Sequence, residues 1–136
     1  MVAYSFKKRF GPDIHAGIKR QTIRADRVRH ARPGEMLQLF TGMRTTQCKK
    51  ICEDVRCTEV AKIEIFFDAD GDIESIWIDG TAVKDVDDFA KLDGFSDASE
   101  MADFWHEENS QGPNTVFQGA LIKWEPPIFD PMGWES

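Results

Sequence analysis

The run Ile63-Glu64-Ile65-Phe66-Phe67-Asp68-Ala69-Asp70-Gly71-Asp72-Ile73-Glu74-Ser75-Ile76-Trp77-Ile78 decides the fold class. Apolar residues fall on a largely two-residue period from Cys57 to Phe67 and again from Ile73 to Ile78, which is the signature of strands. The acidic, glycine-containing stretch between them has turn chemistry, so residues 57–78 read as a hairpin, closed by Asp79-Gly80. Toward the N-terminus, Val2–Phe6, Gln21–Arg24 and Met36–Gly42 read as short strands. Gly11-Pro12-Asp13 starts a helical turn that Gly17 stops, and Arg32-Pro33-Gly34-Glu35 fits a type II turn. Toward the C-terminus, Asp85–Leu92 reads as a short helix ending at Asp93-Gly94-Phe95. Ser96 caps the next helix, whose stripe is Met101, Phe104 and Trp105, and the polar run 107–113 ends it. Val116–Trp124 is the last strand. Strands outnumber helices, so the expected class is α+β, a small closed or nearly closed β-barrel with peripheral short helices.

The chain has 136 residues, 41% of them hydrophobic and 30% charged, which is material for one core. A single domain over 1–136 is expected, with its core at about 4–124 and a proline-rich tail at 125–136. Trp77, Trp105, Trp124 and Trp134, with Phe6, Phe10, Phe40 and Phe67, are assigned mostly to that core. No apolar run approaches the roughly 20 residues of a membrane span. The first residues lead directly into Lys7-Lys8-Arg9 and do not read as a signal peptide. With three cysteines, an odd number, a reducing cytoplasm is the expected location.

The net charge of −7 argues against binding a long polyanion by bulk electrostatics. The average conceals a division. Residues 1–62 hold 14 Lys and Arg against 6 Asp and Glu, a net +8, whereas residues 63–136 hold 3 against 18, a net −15. Phosphate-binding glycine loops, nucleophile elbows and zinc-protease motifs are missing, which disfavours the common nucleotide hydrolases, serine esterases and metalloproteases. Asp68-Ala69-Asp70-Gly71-Asp72 lacks the glycine position and closing Glu of a calcium loop. Cys48, Cys52 and Cys57 have neither paired zinc spacing nor a nearby histidine, since His15, His30 and His106 are scattered. Neither a metal nor a cofactor is expected.

Gly17-Ile18-Lys19-Arg20-Gln21-Thr22-Ile23-Arg24 is the stretch that carries chemistry. In a strand, Thr22 and Arg24 share a face, and Lys19 lies at the turn before them. A hydroxyl nucleophile, a lysine base and a cation for the oxyanion form a workable acyl-transfer set, with desolvation expected to lower the lysine pKa. A polar edge strand beside a basic loop fits the same spacing.

Together, Arg9-Phe10, Ile14, Gly17-x-Lys19-x-x-Thr22-x-Arg24, Pro33-Gly34-Glu35 and Asp93-Gly94-Phe95 resemble the ASCH domain of the PUA-like superfamily from Tyr4 to Trp124. The N-terminal block is similar to the small bacterial ASCH amidohydrolases that convert N4-acetylcytidine to cytidine and acetate. The resemblance implies Lys19, Thr22 and an acid at Asp93 as the catalytic trio, and Arg24, Arg9, Phe10 and Arg20 as substrate contacts. The family has glutamate where this chain has Asp93, one methylene shorter, and Glu100 is the fallback acid. The chain is longer than those enzymes at residues 45–56 and in its tail. It implies a modified nucleoside as substrate. The second function it implies is an RNA-binding module, in which Lys7, Lys8, Arg9, Lys19, Arg20, Arg24, Arg27 and Arg29 contact phosphates, with or without ribonuclease activity. A third is a catalytically silent regulator.

Overall fold

Thirteen consecutive residues, Val55–Phe67, form the longest strand, and every other strand is hydrogen-bonded to it directly or through one neighbour. In the computed structural model, which describes residues 1–27 and 29–128, the elements run in this order: β1 (Val2–Phe6), a 3-10 turn (Lys8–Phe10), α1 (Gly11–His15), β2 (Gln21–Ala25), β3 (Met36–Thr41), β4 (Lys49–Lys50), β5 (Val55–Phe67), β6 (Ile73–Ile78), β7 (Thr81–Ala82), α2 (Val86–Leu92), α3 (Ala98–Asn109) and β8 (Val116–Trp124). The α+β class stands. The sheet path β1-β3-β5-β6-β7 is open at both ends, with β4 on β3, β8 on β5 and β2 on β8. Among the described residues the pairings do not show the ring expected of a closed barrel, and the terminal strand β7 has only two residues with which to make one. No helix among the described residues is long and apolar enough to cross a membrane.

The chain divides into two compact units. Among the described residues, the first comprises 1–21, 29–60 and 122–128; the second comprises 22–27 and 61–121.

In the first unit β1 runs parallel to β3, from Val2 opposite Leu37 to Phe6 opposite Thr41. Alternation works as the period predicts: Val2, Tyr4, Phe6, Leu37 and Leu39 are buried, with Ile14, Ile51 and Val55 in the same core. The turn before β3 has the expected form, since Glu35 N–H donates to the Arg32 carbonyl at 3.0 Å and Gly34 has φ +89°. Glu35 then ties the N-terminus to this loop. Its carboxylate accepts from the Arg29 guanidinium, from Arg32 N–H at 3.1 Å and from the N-terminal amine at 3.3 Å. The Arg29 and Arg32 hydrogen bonds hold its carboxyl down at about 2.

In the second unit residues 63–67 of β5 pair antiparallel with β6, Ile63 opposite Ile78 and Ile65 opposite Ile76, which is the expected hairpin. Asp79 and Gly80, at φ +49° and +82°, join β6 to β7, so they open a second hairpin and do not close the first. Trp77, placed in the core by the sequence pattern, is 37% exposed on this strand, and Trp134 lies outside the described residues. The N-cap of α3 is Asp97, whose side chain accepts from Glu100 N–H, and not Ser96. Ser96 N–H instead donates to the Glu100 carboxylate at 3.1 Å, so the fallback acid serves the helix start. Phe95, Phe104, Trp105 and Phe117 form one aromatic cluster with centroids 5.3–6.5 Å apart. A side chain at Gly119 on β8 would place its Cβ 2.2 Å from the Arg24 carbonyl oxygen of β2.

Two stability predictions follow from these contacts. Gly119→Ala forces the two strand backbones apart and is expected to lower Tm by roughly 10 °C, whereas Gly112→Ala, with open space around it, leaves Tm nearly unchanged in the same melts. The Glu35 carboxyl is held below its ordinary 4.5, so its stabilisation is present above that pH and is lost as pH falls toward 2. The Tm difference between wild type and Glu35→Gln is expected to close over that window. A difference that persists at pH 2 contradicts the clamp.

Candidate active site

Five polar or charged side chains are buried among the described residues: Lys19, Gln21, Thr22, Thr41 and Asp93. Three of them are the catalytic trio expected from the sequence. Burying lysine or aspartate costs stability unless partners compensate, which makes Lys19 and Asp93, each 3% exposed, the most informative charged positions in the chain.

Lys19 belongs to the first unit and is positioned by the end of α1. Gly17 takes φ +77°, a conformation glycine adopts without strain, and the chain turns so that Ile18 and Lys19 N–H groups both donate to the Asp13 carbonyl, at 2.9 and 3.0 Å. The Lys19 ammonium then lies 5.0 Å from the Phe10 ring centroid and 5.9 Å from that of Phe6. Arg9 lies 4.9 Å from the same Phe10 ring. Lys19, Arg9 and Phe10 therefore share one cluster, with Phe10 buried and Arg9 exposed. Phe6 joins it. Its place at the inward phase of β1 was legible from the alternation, but its contact with a lysine was not. Arg20, expected as a substrate contact, is exposed, and its backbone carbonyl accepts from Trp124 N–H at 3.1 Å.

Thr22 and Arg24 belong to the second unit, on β2. They share a face as the two-residue period requires, and Arg24 Nε–H donates to Thr22 Oγ1 at 3.0 Å. The donation occupies one lone pair and leaves the hydroxyl proton available to a base. A guanidinium at that distance also stabilises negative charge developing on the oxygen.

Asp93, in the same unit, ends α2. The motif Asp93-Gly94-Phe95 has a local reason. Gly94, at φ +99°, donates to Lys91 O at 3.1 Å, and Phe95 N–H donates to Ala90 O at 2.9 Å, which together make a Schellman cap. A cap explains glycine and the buried Phe95. It does not explain aspartate, since a carboxylate at a helix C-terminus faces the negative end of the dipole. A locally unfavourable residue, buried, is where a functional requirement is expected to override the structural one.

The cysteines are free: Cys48 exposed, Cys52 half-buried and Cys57 buried. Burial pushes the Cys52 thiol up to about 11 and raises that of Cys57. Thiols so raised are poor metal ligands and poor nucleophiles at neutral pH. The carboxylates of Asp68, Asp70 and Asp72 lie within 4.8 Å of one another, but Asp68 already accepts the N–H groups of Asp70 and Asp72, at 2.9 and 3.0 Å, to fold the hairpin turn.

No family model, curated protein or solved structure matches the chain.

Thiol labelling with an aromatic disulfide at pH 8 is expected to consume one equivalent quickly, at Cys48, with Cys52 and Cys57 reacting only on unfolding. Fast labelling of Cys52 in the folded protein contradicts the burial effect.

Proposed function

We propose that the chain is an ASCH-type amidohydrolase that removes an acyl group from the exocyclic amine of an N4-acylated cytosine nucleoside such as N4-acetylcytidine. The observation that carries this reading is the burial of Lys19, Thr22 and Asp93, with the Arg24 guanidinium on the Thr22 hydroxyl. Resemblance in the Gly-x-Lys-x-x-Thr-x-Arg block supplies the substrate class.

In this reading Thr22 Oγ attacks the acyl carbonyl carbon while the neutral Lys19 amine takes the hydroxyl proton. Burial favours the neutral amine that a general base needs. Arg24 steadies the charge that develops at the oxygen. The C–N bond then breaks, the exocyclic nitrogen takes the proton from Lys19, and cytidine leaves an acyl ester on Thr22. Water, activated by Lys19, hydrolyses the ester to carboxylate and restores the threonine. Asp93 orients the lysine ammonium formed in each half-reaction.

A second reading has one observation in its favour. The registers Phe6 to Thr41 and Thr41 to Lys49 place the end of β1, leading into Lys7-Lys8-Arg9, and the start of β4 on either side of the end of β3, so five exposed basic residues, with Lys50, gather at one end of the first unit's sheet. Such a rim suits phosphates of an RNA.

Purified protein is expected to release cytidine and acetate from N4-acetylcytidine. Lys19→Ala and Thr22→Ala, at equal folded concentration, are expected to lose at least about a hundredfold in kcat, and Arg24→Met about tenfold or more. Asp93→Asn is expected to lower kcat strongly, with Asp93→Glu retaining more. Wild-type protein inert toward several N4-acylcytosines removes the reading and leaves the basic rim as the place to seek an RNA.

A further inference from the structure

Two indole nitrogens among the described residues, Trp105 Nε1 and Trp124 Nε1, are buried without a hydrogen-bond acceptor. An indole N–H only donates, and leaving it unsatisfied in the interior costs free energy that most proteins avoid. The two differ in their surroundings. Trp105 is ringed by Phe95, Phe104 and Phe117 at 5.6–6.5 Å, whose π faces are weak acceptors, and the Phe117 ring stands at 87° to it. Its environment is complete as an apolar core.

Trp124 lies elsewhere, in the first unit, beside the residues already singled out. Its ring stands edge-on to Phe6 at 6.1 Å and 69°, and Phe6 is one of the two rings over which the Lys19 ammonium sits. Its backbone N–H holds the carbonyl of Arg20, the residue next to Lys19. Two buried phenylalanine rings, the Lys19 ammonium over them and the Trp124 indole, a donor with no acceptor, thus stand together in this unit. The set lacks one thing, a carbonyl or similar oxygen carried by a planar ligand.

We infer that Trp124 is a substrate-binding residue whose indole N–H donates to a carbonyl oxygen of a planar pyrimidine ligand held against Phe6. The inference rests on the amidohydrolase reading for the ligand class, and not for the orphaned donor. A water molecule would satisfy the nitrogen equally well, and that alternative is an outcome of the test.

The test follows the four indole N–H resonances of 15N-labelled Thr22→Ala protein, a variant expected to bind without turnover, with the Trp124 signal assigned by its loss in Trp124→Phe. On titration with N4-acetylcytidine the Trp124 resonance is expected to move downfield and saturate, while that of Trp105 stays. Cytidine is the second titrant. A shift with both identifies the ring carbonyl as the acceptor, and a shift with the acetylated nucleoside alone identifies the acyl oxygen. In the wild-type background Trp124→Phe is expected to raise KM about tenfold with kcat little changed. Acetate release by wild type with the Trp124 resonance unmoved at saturating ligand overturns the inference and leaves the reading intact, the donor then being satisfied by water. A Trp124 shift with cytidine in a protein that hydrolyses no N4-acylcytosine keeps the binding residue and removes the reading. Neither response removes both.

Discussion

The close approach of β2 to β8 is the constraint on which the proposed nucleophile depends. The five-residue β2 has β8 as its sheet partner, and the Arg24 carbonyl oxygen occupies the space that any side chain at position 119 would need. Glycine in the middle of a strand weakens it through lost side-chain packing and added unfolded-state entropy, so its presence in β8 marks a site where backbone proximity matters more than local strand stability. That proximity holds β2 against β8, and β2 carries both Thr22 and the guanidinium that engages its hydroxyl.

The buried charges follow the same logic at a larger energetic scale. Lysine beneath two phenylalanine rings and aspartate at the end of a helix are each inferior to an apolar residue for stability alone, because a charged form loses hydration on burial. Aromatic faces return part of that loss to Lys19 through their quadrupoles. Lys19 and Asp93 are local conflicts of this kind in a chain whose caps and turns otherwise agree with its structure.

Much of the fold was legible because its signals are local. Alternation marked β1 and β6 to the residue and β5 from Cys57, two residues late, Pro33-Gly34 marked the turn that β3 follows, and Val116–Trp124 was legible as β8. The errors have physical causes. Ser96 and Asp97 are both good N-caps, and the choice between them rests on which side chain reaches Glu100 N–H. The I′ geometry of Asp79-Gly80 makes a new hairpin from a two-residue partner strand too short to read by period. Closure of the sheet is a non-local property that a strand count does not settle. For the site, parity joined Thr22 to Arg24, but the clustering of Arg9, Phe10, Phe6 and Lys19 depends on the parallel β1–β3 pairing and on α1 turning back through Gly17. The orphaned nitrogen of Trp124 has no signal in sequence, where a buried tryptophan reads as core.

The most direct measurement of the central claim, that Thr22 carries the acyl group through the reaction, is mass analysis of the peptide spanning Thr22 after millisecond mixing of wild-type protein with saturating N4-acetylcytidine and an acid quench. The account predicts an acetyl group on Thr22 that appears with the first turnover and is absent from Thr22→Ala. Cytidine release at full rate with no acetyl on the chain, or acetyl found on Lys19 in its place, contradicts it.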